Sequence, residues 1–172
     1  MIEPPMRSSM WRFYPWSINP DVKKNTDDGG LNCGGFWRLH GINKGKCGIC
    51  GDPFDAIQKQ NEAGGKFYSG IIVRQYFHGD GYINVTIDVS SNIKGYFEFN
   101  ICPLKGVNGT LTRKCLDKYP LLIKGNGLRY VPIADGKHNL KVKIPPNLFC
   151  KHCVLRWKWI GGNYNMSFKT FS

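Results

Sequence analysis

The sequence predicts an all-β protein built as an antiparallel β-sandwich, with a long loop-rich N-terminal region pinned by disulfides. Several short segments alternate apolar and polar residues, and β-branched and aromatic residues fill them. Gly (21) and Pro (10) supply the turns between these segments. The 172 residues suit a single domain, 1–172, that is large enough to bury a core.

The N-terminal third shows little periodicity, and a short helix is expected at most around Asp55 to Glu62. The clearest strand runs from Tyr82 to Val89, with one face formed by Ile83, Val85, Ile87 and Val89. Four further strands are predicted at Gly70 to Phe77, Gly95 to Ile101, Asn139 to Ile144 and Cys153 to Ile160. In the last of these, one face is formed by Cys153, Leu155, Trp157 and Trp159.

The net charge of +12 would attract anions such as nucleic acid, acidic glycans or a membrane surface. Basic residues are scattered, however, and no run of five or more like charges occurs, which favours a solvated basic surface. We therefore expect no specific nucleic-acid binding. The sequence contains no apolar run of about 18 residues, so it predicts no membrane span. Met1 to Pro5 has no signal-peptide character, which by itself does not indicate the cytosol.

Seven cysteines and three Asn-x-Ser/Thr sequons together favour an oxidising, extracellular compartment. The cysteines are Cys33, Cys47, Cys50, Cys102, Cys115, Cys150 and Cys153, and the candidate N-glycosylation sites are Asn84, Asn108 and Asn165. Seven is odd, so one cysteine stays as a thiol, pairs with another chain in an oligomer, or lost its partner. Two CxxC pairs allow a zinc site, but they lie about a hundred residues apart, which favours disulfides.

Eight segments match one protein family in order along nearly the whole chain. They are Glu3 to Arg12, Asn32 to Phe36, Gly45 to Asp52, Ile83 to Ile87, Asn92 to Phe99, Cys102-Pro103, Cys115 to Asp117, and Cys150 to Trp159. This set resembles the lytic polysaccharide monooxygenases of auxiliary-activity family 15, the branch found in animals and viruses. These proteins are also described as chitin-binding type-4 domains. The resemblance implies an immunoglobulin/fibronectin-III-like β-sandwich and a Cys102–Cys115 disulfide.

Members of that family cleave chitin or cellulose oxidatively with one copper ion held by two histidines. The resemblance implies that both are lost here: Met1 stands where the family has His-Gly a few residues before Pro4-Pro5, and Ile93 takes the second position. Copper is suited to imidazole nitrogen, which a hydrocarbon side chain cannot replace. The family's axial aromatic residue corresponds to Phe168. We therefore expect no catalytic residue, no metal and no cofactor.

The chain's four histidines could in principle serve as ligands at other positions. Each is expected to be solvent-exposed or hydrogen-bonded instead. They are His40, His78, His138 and His152.

The favoured function is non-catalytic binding of chitin or a related polysaccharide. Its candidate contact residues are aromatic, since flat rings stack on sugars: Trp11, Tyr14, Trp16 and Trp37. The alternative is a structural or assembly scaffold, viral or extracellular, which reuses the sandwich. An active monooxygenase with a clipped N-terminus is disfavoured by Ile93.

Overall fold

The structure, a computed structural model, describes residues 1–14, 19–76, 79–104, 109–162 and the backbone of 168–171. Two three-stranded antiparallel sheets make up the fold. The first has the order β1-β4-β3, with bounds Tyr82–Val89, Gly136–Lys143 and Leu122–Ile123. The second has the order β2-β5-β6, with bounds Tyr96–Pro103, Cys153–Ile160 and Phe168–Phe171.

The described residues also form three short helices, two before β1 and one between β2 and β3, and all three were absent from the sequence prediction. They are a 3₁₀-helix at Arg7–Arg12, a π-helix at Trp37–Ile42 and an α-helix, α1, at Arg113–Lys118. The hydroxyl of Thr112 caps α1 by accepting a hydrogen bond from the backbone N–H of Cys115. Each helix spans six residues, too few for a helical period to stand out in a sequence.

The core lies between the two sheets, where the predicted alternation places the apolar side chains. One cluster contains the four inward residues of β1, Phe97, Phe99 and Ile101 of β2, Leu140 and Val142 of β4, and Trp157 and Trp159 of β5. Both sheets contribute to this cluster, which confirms the predicted antiparallel β-sandwich. The polar residues of β1, Asn84, Thr86 and Asp88, point away from the core, so β1 places only apolar side chains inside it.

The predicted strand at Gly70 to Phe77 is wrong for the residues that the structure describes, 70–76. Its β-branched and aromatic content is typical of a strand, but Ile72 and Tyr76 are exposed. A strand needs a partner edge as well as a suitable composition. This segment is instead fixed by a side chain, since Arg74 donates to both carboxylate oxygens of Glu3 at 2.7 and 2.8 Å.

The helix considered around Asp55 to Glu62 is also wrong, because turns occupy this range. The acidic residues at its two ends, Asp55 and Glu62, accept hydrogen bonds from neighbouring segments instead of capping a helix. Asp55 accepts from Arg38 and Asn43, and Glu62 accepts from the backbone N–H of Ile49. Ile57 is fully exposed, so the range offers no apolar face to bury.

Three disulfides join Cys33 to Cys47, Cys102 to Cys115, and Cys150 to Cys153. The pair implied by the family resemblance, Cys102–Cys115, is therefore present. The two CxxC motifs do not form a four-sulfur zinc site, because Cys47, Cys150 and Cys153 are in disulfides and offer no thiolate. Cys50 is buried, with its Sγ 3.2 Å from Arg7 Nη1.

No helix within the described ranges is long and apolar enough to cross a membrane.

Candidate functional site

The loop between β1 and β2 carries Ile93 and is held by its neighbours on both sides. The side-chain oxygen of Asn92 accepts from the backbone N–H of Lys94 at 2.8 Å. Its amide nitrogen donates to the carbonyl of Pro132 at 3.0 Å. The backbone N–H of Asn92 donates to Asp135. These bonds tie the loop to the segment that precedes β4.

The second half of the loop reverses direction in a left-handed conformation. Lys94 has φ 62° and Gly95 has φ 87°. The carbonyl of Lys94 accepts from the Trp159 indole N–H at 2.9 Å, and the carbonyl of Ile93 accepts from Gly162 at 3.3 Å. Because these bonds use backbone atoms, the path of the loop does not depend on the side chain at position 93.

Ile93 itself is half-buried and packs against the core cluster. A saturated hydrocarbon side chain has no lone pair for copper, so this residue does not fit the metal that the family resemblance implies. The backbone of Phe168 lies near the same end of its sheet, since Phe168 pairs with Ile160 and Ile160 pairs with Tyr96. The side chain of Phe168 is outside the described part of the structure.

Met1, the third member of the predicted degenerate site, is buried in the core cluster. Its backbone nitrogen lies 3.5 Å from Met6 Sδ. Two residues later, Glu3 forms an antiparallel bridge with Thr86 of β1. Met1 therefore takes part in packing the sandwich.

His138 is the histidine whose environment is best defined. It is buried; its Nε2 donates to the carbonyl of Ala134 and its Nδ1 accepts from the Tyr130 hydroxyl, both at 2.9 Å. Both ring nitrogens are therefore used within the fold, as expected. The His40 ring lies 4.9 Å from Phe36, and His78 falls outside the described residues. Across the described ranges, no group of three or more His, Cys, Asp or Glu could hold a metal ion.

Of the candidate sugar-binding residues that the structure describes, Trp37 has the most accessible ring. It begins the π-helix and is 74% exposed. The ring rests on Gly41, where an added Cβ would lie 3.1 Å from the indole. One face of the ring is thus supported by backbone and the side chain presents a broad apolar surface to solvent. Phe36, which sequence reasoning missed, is also exposed next to it in the chain.

The other aromatic candidates are engaged within the fold. The Trp11 ring is covered by the Arg12 guanidinium at 4.6 Å and lies 5.5 Å from Lys24 Nζ. The Tyr14 hydroxyl accepts from Arg74 at 3.0 Å. Trp16 is outside the described residues. The structure therefore does not bring the four aromatic residues together as one described platform.

Among the candidate glycosylation sites, Asn84 is exposed on the outward face of β1. Asn108 and Asn165 lie outside the described residues.

A cavity of about 860 Å³ lies between the segment 68–76 and the ends of β1 and β5. Its two arginines are already engaged: Arg74 with Glu3, and Arg7 with the carbonyl of Asn61 at 2.9 Å. The walls are mainly apolar, with Ile71, Val73 and Ile83 among them. The cavity offers volume but little chemistry to select a ligand.

Two comparisons with known proteins agree with this geometry. A family model described as "Lytic polysaccharide mono-oxygenase, cellulose-degrading" matches residues 1–171. The structure "Lytic Polysaccharide Monooxygenase AA15 from Thermobia domestica in the Cu(I) State" is 33% identical in sequence, with a TM-score of 0.88. The alignment covers 98% of this chain and 92% of the Thermobia domestica chain. The comparison with curated proteins found no match.

Proposed function

Because the chain belongs to the lytic polysaccharide mono-oxygenase family, we propose that it binds polysaccharide, chitin or a related glycan, without the family's copper chemistry. The observation that carries the proposal is Ile93, at the position where the family resemblance expects the second copper histidine. The family is usually catalytic, and this substitution is what separates our proposal from the family's usual role.

Hydrogen bonds in the segment that holds the Ile93 loop, and at the start of β4 next to it, support this interpretation. His138 is hydrogen-bonded at both ring nitrogens. Asp135 accepts from the backbone of Asn92. Coordination of a metal by His138 would break one of its two hydrogen bonds, at a cost of about 1 kcal/mol or more.

Replacing Ile93 with histidine is expected to raise Cu(II) affinity by at least about tenfold, since one imidazole ligand adds more than about 1.4 kcal/mol. Isothermal titration calorimetry with Cu(II) measures the change. Ile93→Val is the matched control, because it changes the packing at the same position without adding a ligand. Wild-type binding tighter than about 1 μM, unaffected by either substitution, would contradict the copper-free proposal.

The proposed glycan contact is centred on Trp37, whose helix is anchored from several directions. The Cys33–Cys47 disulfide closes the loop around the helix. Arg38 and Asn43 both donate to Asp55, at 2.9 and 2.8 Å. A ring held in this way loses little conformational entropy on binding. Most of the free energy of stacking on a sugar face therefore contributes to the affinity.

We expect the protein to be retained on insoluble β-chitin at high salt, and Trp37→Ala to weaken retention by about tenfold, or roughly 1.4 kcal/mol. A pull-down at low and high salt, with cellulose as the comparison polymer, measures this. Phe149→Ala is the control, because Phe149 is 72% exposed and lies in a different part of the chain.

Loss of all retention at high salt would mean that the net charge of +12 accounts for the binding. That result would favour the scaffold alternative.

We also propose that the protein is secreted and can be glycosylated at Asn84. Three disulfides favour an oxidising compartment. The exposure of Asn84 leaves room for a glycan on β1.

A further inference from the structure

A small polar cavity of about 150 Å³ lies on the outer side of the second sheet, where α1 and the Cys33–Cys47 loop meet it. Three of the side chains that line it are cations and one is a carboxylate. The lining residues are Gly45, Cys47, Gly48, Arg113, Asp117, Arg156 and Lys158.

Strand alternation explains how the cations reach this cavity. Because Trp157 and Trp159 point into the core, Arg156 and Lys158 lie on the opposite face of β5. Their partners across the ladder are Asn100 and Glu98 of β2. The Cys102–Cys115 disulfide ties α1 to β2, and α1 supplies the remaining two charged residues.

Arg156 is the most unusual member of the group, since it is only 6% exposed. Its Nη2 donates to Asn100 at 2.9 Å and to Asp117 at 3.0 Å. Its Nε is buried and has no hydrogen-bond partner within the described part of the chain. A buried donor without an acceptor costs about 1–3 kcal/mol, and an acceptor from a ligand that reached this N–H would relieve that cost.

The positive charge of the cavity is only partly compensated. Asp117 is the single carboxylate among the described residues of the lining, and its side chain is 57% exposed. Glu98 is shared with Arg129, which donates to it at 3.1 Å. Arg113 donates to the carbonyl of Cys47, which is a neutral acceptor. Among the described lining residues, three cations therefore face one carboxylate.

Lys158 responds to this environment. Burial is the largest influence and lowers the pKa of its ammonium group, and the neighbouring Arg156 and Arg113 lower it further. Glu98 and Asp117 act in the opposite direction without restoring the usual value. An added anion would relieve this crowding of like charges.

We propose that this cavity binds one small tetrahedral oxyanion, sulfate or phosphate, between Arg113, Arg156 and Lys158. The volume of about 150 Å³ is several times the roughly 30 Å³ of a water molecule, which is enough for such an ion. Guanidinium groups donate in pairs to the oxygens of sulfate and phosphate, and these charge-assisted bonds are stronger than neutral ones. The oxyanion would bridge α1 and β5.

Titration of the full chain with sodium sulfate, followed by the NMR signal of the Arg156 Nε–H group, tests the proposal. Sodium chloride at the same ionic strength corrects for screening. We expect a saturable shift in sulfate, and Lys158→Gln is expected to weaken the affinity by at least about tenfold. Lys118→Gln is the matched control, because it also removes one lysine charge, from α1. Lys118 is outside the cavity lining, and its Nζ lies over the Tyr119 ring at 5.1 Å. Its affinity should stay within about twofold of wild type.

Arg156 is left unchanged in these variants because its bonds to Asn100 and Asp117 also support the fold. A saturable shift with inorganic sulfate alone would identify a free ion as the ligand. Equal binding of methyl sulfate would extend the site to sulfate esters, and both results support it. The absence of saturation in the wild type, or equal weakening by Lys158→Gln and Lys118→Gln, would overturn the proposal.

Discussion

Replacing Gly95 with alanine is expected to lower the free energy of unfolding by about 4 kcal/mol or more. Gly95 has φ 87°, a conformation that disfavours any Cβ. An added Cβ would also overlap the carbonyl oxygen of Ile160 and lie 2.7 Å from the nitrogen of Gly162. These contacts are with backbone, which cannot move aside as a flexible side chain can. The loop that carries Ile93 would have to shift or the end of β5 would have to open.

Gly81→Ala separates the two causes of this loss. Gly81 also has a positive φ, 75°, but an added Cβ there has nothing within 4 Å. We expect a loss of only about 1 kcal/mol at this position. Urea unfolding, monitored by tryptophan fluorescence, measures the free energy of unfolding of both variants. We expect the slope of this free energy against urea concentration to be unchanged. Equal losses for the two variants would show that the backbone around Ile160 yields and that the loop is less tightly held than its contacts indicate.

Phe97→Ala is expected to have the second large effect, a loss of about 4 kcal/mol. Phe97 is 0% exposed, and its ring makes edge contacts with Trp157 and Trp159 at centroid distances of 5.2 and 5.4 Å. Removal of the ring leaves a cavity between the sheets and also removes two aromatic pairs, each worth about 0.5–1.5 kcal/mol. Urea unfolding gives the loss in stability.

The consequence for the candidate site follows from Trp159, whose indole N–H donates to the carbonyl of Lys94. Once Phe97 no longer supports that indole, exchange of its N–H with solvent should become faster, which hydrogen exchange by NMR detects. Phe149→Ala should cost less than about 0.5 kcal/mol, because the ring of Phe149 is largely exposed. A loss of similar size in both variants would contradict the assigned core.

The two predictions bear on function because they test the packing that holds the loop, independently of the side chain at position 93. The bonds that hold the loop use Asn92 and the backbone of Ile93 and Lys94. None of them uses the Ile93 side chain. Ile93→His is therefore expected to fold with the loop in place, at the cost of the apolar contacts that the half-buried Ile93 makes with the core cluster.

Much of the sandwich could be predicted from sequence because strand periodicity is a local property. In β1, four apolar residues at alternate positions predicted a strand whose bounds, Tyr82–Val89, are those of the structure. In β5, the bounds were also predicted, as was the shared face of Trp157 and Trp159, which the structure places in the core. The assignment of position 93 to the family's second copper ligand rests on the resemblance, with the register fixed by the Gly95–Phe99 motif that follows it, and stays a prediction.

Other features depended on what packs against a segment, and only the tertiary structure decided them. Residues 70–76 have the composition of a strand, yet no strand forms there, because composition does not supply a partner edge. Trp11 and Trp37 look alike in sequence, but cations cover the first ring while the second is exposed. Alternation placed Arg156 on the outer face of β5, where a charged side chain is normally solvated. It is buried instead because the Cys102–Cys115 disulfide brings α1 over that face, a contact between residues far apart in the chain.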